Sequence, residues 1–239
     1  QNKWQFNQNI NNWNTTAATR MTWLFHNATA FNRPLNNWNV ENVWDTYGMF
    51  RDAASFNQPL NSWNTDSLQS PSYMFHGAAS FNQPLNSWNT ESLRSTSGMF
   101  SSASAFNQPL DAWNTNSVTT MSYMFYNADV FDQPLNGWNT AAVSDMQYMF
   151  DGAGAFNHPV NGWNTNSVTS MSGMFNNARV FDQPLNGWNT SAVSDMNNMF
   201  GYTTFNQDIS SWNVSGVTNM NYMFYDSSNF LQDGIRSWN

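Results

Sequence analysis

The chain has 239 residues, of which 17% are aromatic and 9% charged, and it carries a formal net charge of −8. So much apolar and aromatic surface excludes a disordered chain. The sparse, mainly acidic charge offers no basic patch for phosphates, so no nucleic acid is expected as a partner. No apolar run reaches the roughly 18–20 residues of a membrane-spanning helix, so no membrane span is expected. With no cysteine there is neither a disulfide framework nor a thiolate metal site. The opening residue, Gln1, reads as the start of a mature or trimmed chain, from which any export signal would already be gone.

One phrase recurs throughout: MFHGAASFNQPLNSWNT at 74–90 returns as MFYNADVFDQPLNGWNT at 124–140 and MFNNARVFDQPLNGWNT at 174–190. In chain order, a unit begins at a Phe, near residues 6, 31, 56, 81, 106, 131, 156, 181, 205 and 230. A Trp follows seven residues later and a second Phe nineteen residues later, and the two Phe columns contain all 19 Phe of the chain. The 14 Met fall in two columns and seven of the eight Pro in one, so almost no apolar residue is left for use outside the repeat. A lone unit cannot bury its apolar stripe, but stacked units form one continuous core. The sequence therefore predicts a single solenoid over 1–239, a right-handed coil of about ten 25-residue repeats.

Within a unit, Pro134 and its counterparts mark the corner before a short extended segment, because Pro cannot donate to a ladder. Leu135 to Thr140 reads as that strand, with Leu135, Trp138 and Thr140 giving an L-x-x-L-x-L-like signature. The Asn that follows every Trp, from Asn14 to Asn239, is expected to stack as an asparagine ladder. Val143 to Phe156 then steps by 3, 3, 1, 3 and 3, the spacing of a helical or 3-10 return segment. Parallel pairing of such strands, about 4.8 Å apart, would make a rod of roughly 48 Å from ten coils.

The combined string MFxxAxxFNQPLNxWNTxxVxxM resembles the bacterial surface protein 26-residue repeat, a relative of BspA-like leucine-rich repeats. The likeness covers nearly the whole chain, although the period here is 25. It implies a leucine-rich-repeat-like solenoid belonging to a secreted or surface-anchored protein with an adhesive or structural role. It implies no catalytic residue and no cofactor.

The residues with chemistry are scattered. His26 and His76 share a column but stand two coils apart, too far to share a metal, and His158 occupies a Gln position. Asp145 pairs in column with Asp195, and Asp132 with Asp182, again two coils apart; a solvated acidic face is expected rather than a calcium contact or an acid–base pair. No nucleophile elbow, P-loop or dinucleotide fingerprint is present, so the chain does not read as an enzyme. Four N-x-S/T sequons occur; Asn27 is the best glycosylation candidate, while Asn14, Asn189 and Asn213 lie in the column assigned to a buried ladder.

Tyr73, Tyr123, Tyr148 and Tyr222 share one variable column and would form a glycan-stacking face if exposed, or a packed edge of the return segment if not. The Thr column could also be imagined as an ice-binding ladder, but Val40 and Val214 interrupt it. The sequence thus points to an extracellular or cell-surface protein with a structural or adhesive role. Its expected partners are other copies of itself, stacked head to tail into a fibre, or a glycan or surface bound through one face.

Overall fold

A computed structural model describes residues 3–238. Helical turns are confined to Lys3–Gln5 and Asp233–Ser237, and the described residues between them contain no helix and no strand longer than one residue. Among the described residues, no helix is long and apolar enough to cross a membrane.

The chain is a stack of tandem coils, one per repeat, and each coil is a circuit of tight turns. In the coil from Met121, carbonyl-to-amide bonds close turns at Met121–Met124, Tyr123–Tyr126, Phe125–Ala128, Ala128–Phe131, Leu135–Trp138 and Thr140–Val143, at 2.9–3.2 Å. The amides of Met121, Tyr123, Phe125 and Asn127 turn the other way. They donate to the carbonyls of Asp145, Gln147, Met149 and Asp151 in the next coil, at 2.7–3.1 Å. Backbone donors therefore alternate between their own coil and the next.

Two sequence expectations change. The expected strand at Leu135–Thr140 is not formed; the parallel bridges fall five residues later, along Thr120, Asp145, Ser170 and Asp195. The Thr140 hydroxyl explains its own column. It donates to the Asn164 carbonyl of the next coil at 2.9 Å, and Thr15, Thr65, Thr115, Thr165 and Thr190 do the same, so Thr serves as a donor rather than a strand former. The helical return segment is absent as well. Coils joined by backbone hydrogen bonds lie about 4.8 Å apart, whereas an α-helix with its side chains is about 10 Å across, so helices on successive coils would force that bonding open.

The asparagine ladder exists, but its regular form lies in another column. Asn107, which follows Phe106, accepts both the Asp132 amide at 2.9 Å and the Gln133 side-chain amide at 3.0 Å from the next coil. The same pair of bonds recurs at Asn32, Asn57, Asn82 and Asn157. This is why Phe-Asn-Gln-Pro is repeated: the Asn oxygen satisfies a backbone amide of the next coil, and the Gln side chain of that coil completes the bonding of the same oxygen beside a Pro that offers no donor. The Asn after Trp bends its own turn, its Oδ1 accepting the amide two residues on, as Asn139 does from Ala141 at 3.0 Å. It links coils only in places, the Nδ2 of Asn89, Asn139 and Asn189 donating to Asp66, Asn116 and Asn166 of the previous coil at 2.7–2.8 Å. Asn239, the last of that column, lies outside the described residues.

The eighth Pro has a visible effect. Pro71 stands where Met21 and Met121 donate their amides to the next coil, and it cannot. The bridge column, continuous from Arg20 to Ser70 and again from Ser95 to Asn219, is interrupted there.

The interior is the expected one: Phe131, Leu135, Trp138, Val143, Met146, Met149, Phe150 and Ala153 are all buried. Phe125 and Phe131 stack within a coil at 3.9 Å between centroids, and each Phe stacks on its counterpart in the next coil, as Phe131 does on Phe156 at 6.2 Å. Every core Trp from Trp38 to Trp212 donates its indole N–H to an apolar residue's carbonyl one coil back, Trp138 to Leu110 at 3.0 Å.

Trp138→Phe should therefore cost about 1–3 kcal/mol, combining lost buried surface with loss of one of the two donors to the Leu110 carbonyl, which keeps the Trp113 amide. Urea denaturation followed by circular dichroism measures this. A loss below about 1 kcal/mol would contradict the role given to the indole N–H.

Candidate functional site

The turn face carries the variable residues. The position of Tyr123 is left-handed in every described coil, with φ of +53° to +59° at Trp23, Gly48, Tyr73, Gly98, Tyr123, Tyr148, Gly173, Asn198 and Tyr222. A second left-handed column, four residues on, runs from Asn27 to Asp226. Gly and Asn adopt this conformation readily, but an aromatic residue there is strained by about 1–2 kcal/mol. The strain persists because the Tyr123 amide must point to Gln147 of the next coil.

Aromatic and glycine positions in this column complement each other. A Cβ at Gly98 would lie 2.3 Å from the Tyr73 ring; at Gly173, 2.3 Å from the Tyr148 ring; and at Gly48, 2.6 Å from the Trp23 ring. Each ring thus lies across the bare backbone of the next coil. The expected stripe is accordingly broken into groups. Tyr123 stacks on Tyr148 at 5.0 Å, and Tyr73 meets Tyr47 at 5.6 Å. Tyr222, 64% exposed, touches only Tyr225 within this set. Burial raises the phenol pKa of Tyr73 and Tyr123 above its ordinary value.

Near the first coils, Arg51 lies between the Trp23 and Tyr73 rings, at 5.6 and 5.8 Å, and pairs with Asp52 at 3.4 Å. His26 reaches the same carboxylate at 3.7 Å, and burial together with Arg51 lowers the pKa of His76. His158 sits 3.2 Å from Asp132. Asp182 is occupied by the Asn206 amide and the Gln207 side chain. No group of three or more His, Asp or Glu able to hold a metal occurs among the described residues.

The glycosylation candidates Asn27, Asn14, Asn189 and Asn213 are all exposed. The burial expected of the last three does not occur, because their column lies on a surface turn. The Thr column considered for ice is buried from Thr65 to Thr190, Thr140 fully so, and its hydroxyls are engaged.

Sequence reading passed over Trp44. It is 40% exposed and stands beside an open groove of about 520 Å³. The signal was available: Trp4, Trp23 and Trp44 are the only three of 13 Trp outside the Trp column. Asp151 was also missed. Buried beside Asn176, whose side-chain amide donates to it at 3.0 Å, it has its carboxyl pKa pushed up to about 6 by burial.

Two outcomes follow from these environments. Gly98→Ala should cost about 2–3 kcal/mol, falling to about 1 kcal/mol in a Tyr73→Ala background, where only the left-handed backbone is penalised; equal costs in a double-mutant cycle would show that the ring does not rest on the glycine. For Asp151, the folded pKa is raised from 3.8 to about 6. Its contribution to stability is therefore complete below pH 3.8 and is lost as pH rises through 6. Asp151→Asn should stabilise the protein at pH 7 by on the order of 2 kcal/mol, with the gain disappearing towards pH 4. Thermal melts across this range measure the difference, and a gain that is constant with pH would exclude it.

The family model described as "Mycoplasma protein of unknown function, DUF285" matches residues 1–113, 62–163, 98–204 and 158–239 in overlapping segments. No curated protein matches the chain. Matches that tile the chain and follow the same tandem repeat that builds the coils place it in that family: the chain belongs to the DUF285 family.

Proposed function

We propose that the chain is a non-enzymatic structural or adhesive repeat protein displayed outside the cell, wound as a right-handed, leucine-rich-repeat-like solenoid like the BspA-like repeats it resembles. The observation that carries this reading is where the repeated side chains go. The Asn of Phe-Asn-Gln, the Gln beside it, the Trp indole and the Thr hydroxyl are each spent on bonding to an adjacent coil. A chain that commits its invariant residues to its own stacking is built for extent and stiffness, and leaves contact with other molecules to its variable positions. The same bonds would join a second copy placed coil against coil, which supports head-to-tail self-association. The alternative is a recognition module that binds a glycan or another surface through one face; the exposed Trp44 favours it.

Protease treatment of intact source cells tests the location. The chain should be cleaved while a cytosolic marker stays whole, and protection until lysis would overturn the reading. Sedimentation velocity across a hundredfold concentration range tests stacking. Growing oligomers are expected, and a monomer throughout would leave self-association wrong.

A further inference from the structure

Trp44 lies in an exposed column that is otherwise nearly uniform. From Thr119 onward the column runs Thr119, Ser144, Thr169, Ser194 and Thr218, and each hydroxyl donates to the carbonyl of the same column one coil back, at 3.0–3.3 Å. That part of the face is flat and satisfied by its own bonds. In the earlier coils Trp44, Gln69 and Arg94 replace the small residues, and the groove opens there.

The indole is held rather than loose. Its backbone is fixed on both sides, the Trp44 amide donating to Thr19 and its carbonyl accepting from Gln69 and Ser70. The Arg20 guanidinium lies 5.2 Å from the ring centroid and is itself anchored to the buried Asp45 at 3.2 Å. Around the ring, the Thr16 and Thr19 hydroxyls and the Gln69 side-chain amide make no hydrogen bond to another described residue. Asn42 uses only its Nδ2, on the Thr16 carbonyl, and Asp66 binds Asn89 through Oδ1, leaving Oδ2 open. The lining spans four coils, about 14 Å at the parallel-strand spacing.

We infer that this groove binds an uncharged oligosaccharide, with Trp44 stacking on the apolar face of one pyranose ring and Thr16, Asn42, Asp66 and Gln69 bonding its hydroxyls. The chemistry of the lining selects this class. Paired hydroxyls need acceptors and donors side by side, which amides, hydroxyls and a free carboxylate oxygen supply. An indole offers a large apolar plane with little ordering cost. An anionic ligand is disfavoured, because Asp66 is open while Arg20 is engaged by Asp45 and Arg94 by the carbonyls of Ser92 and Leu93. The groove's 520 Å³ falls in the range of small-ligand sites. This site is distinct from the tyrosine column, whose rings rest on the glycines of neighbouring coils.

Isothermal titration calorimetry of the full chain with cellohexaose, chitohexaose, mannohexaose and, as a charged control, a hexameric oligogalacturonate tests the inference. At least one neutral hexasaccharide should bind in the micromolar to low-millimolar range, and the charged control should not bind. Trp44→Ala should weaken binding at least tenfold, Trp44→Phe should restore part of it, and Asp66→Asn and Gln69→Ala should each weaken it several-fold. Tyr123→Ala and Tyr148→Ala should leave it unchanged. Far-UV circular dichroism on each variant keeps a folding failure from being read as lost binding, and Gln69→Ala, which removes only a surface side chain, carries the test if Trp44→Ala does not fold. No neutral probe bound at millimolar concentration, binding only of the charged probe, or binding that survives in folded Trp44→Ala and Gln69→Ala would each overturn the inference. The proposed scaffold role is judged separately, by surface proteolysis and sedimentation, and stands or falls without the groove.

Discussion

Backbone bonding between residues 24 apart sets the geometry that everything else obeys. The Phe125 amide reaches the Met149 carbonyl at 2.9 Å, and the Phe175 amide reaches Met199 at 3.0 Å. Bonds of this length hold successive coils about 4.8 Å apart. At that spacing no coil can contain an element thicker than a single extended or turning chain. Contacts of this kind occur around the coil: at the bridge column, along the turn face, at the Asn–Gln ladder and between each core Trp from Trp38 to Trp212 and a carbonyl one coil back. In an arc of strands backed by helices, the wide side can fan open. Here both sides are tied at the same pitch.

The left-handed residues follow from that tie. Alternate amides must leave the coil along the turn face while the others close tight turns within it, and a right-handed helix, whose amides all point one way, cannot do this. Two left-handed positions in each coil reverse the chain as required. Their cost at Tyr73 or Tyr148 is offset by the ring lying on a glycine of the next coil, so strain and packing come from the same residue pair. The column therefore mixes Gly with Tyr and Trp, residue types that hydrophobicity would never group together. It is a record of backbone conformation, with side-chain identity set by the neighbouring coil.

The same geometry explains which features are legible in the sequence. Phe, Leu, Trp, Val and Met read as core because burial is a property of composition at a fixed period, and Phe131, Leu135 and Trp138 sit where the period puts them. The direction of a hydrogen bond is not a property of period. The column of Asn114 is Asn in all ten units and that of Asn107 in only seven, yet it is Asn107 whose Oδ1 bonds to the next coil, while that of Asn114 bonds to its own turn. Likewise Thr140 resembles a strand residue because β-branched side chains favour strands, whereas its hydroxyl is what the position uses. The spacing of Val143 to Phe156 fits a helix because turns that overlap every two to three residues bury nearly the same positions. The left-handed column does carry a signature in the amino-acid letters: Gly48, Gly98, Gly173 and Asn198 recurring at one position mark a backbone that needs positive φ.

A uniform repeat surface has a further consequence for recognition. If every coil offered the same groups, a ligand would find many equivalent registers a few ångströms apart, and could bind the surface without selecting a place on it. A defined site needs a break in the repeat. The breaks concentrate early: five of the seven basic residues precede residue 95, together with Trp23, Trp44, Tyr47 and the ladder-interrupting Pro71. Some of them satisfy one another, as Arg51 does among Trp23, Tyr73 and Asp52. Trp44 is the exception that leaves an aromatic plane and unspent polar groups together, in the part of the stack where the hydroxyl ladder has given way. The later coils, with their regular Ser and Thr, repeat one surface; the first four carry the irregularities on which a defined site would depend.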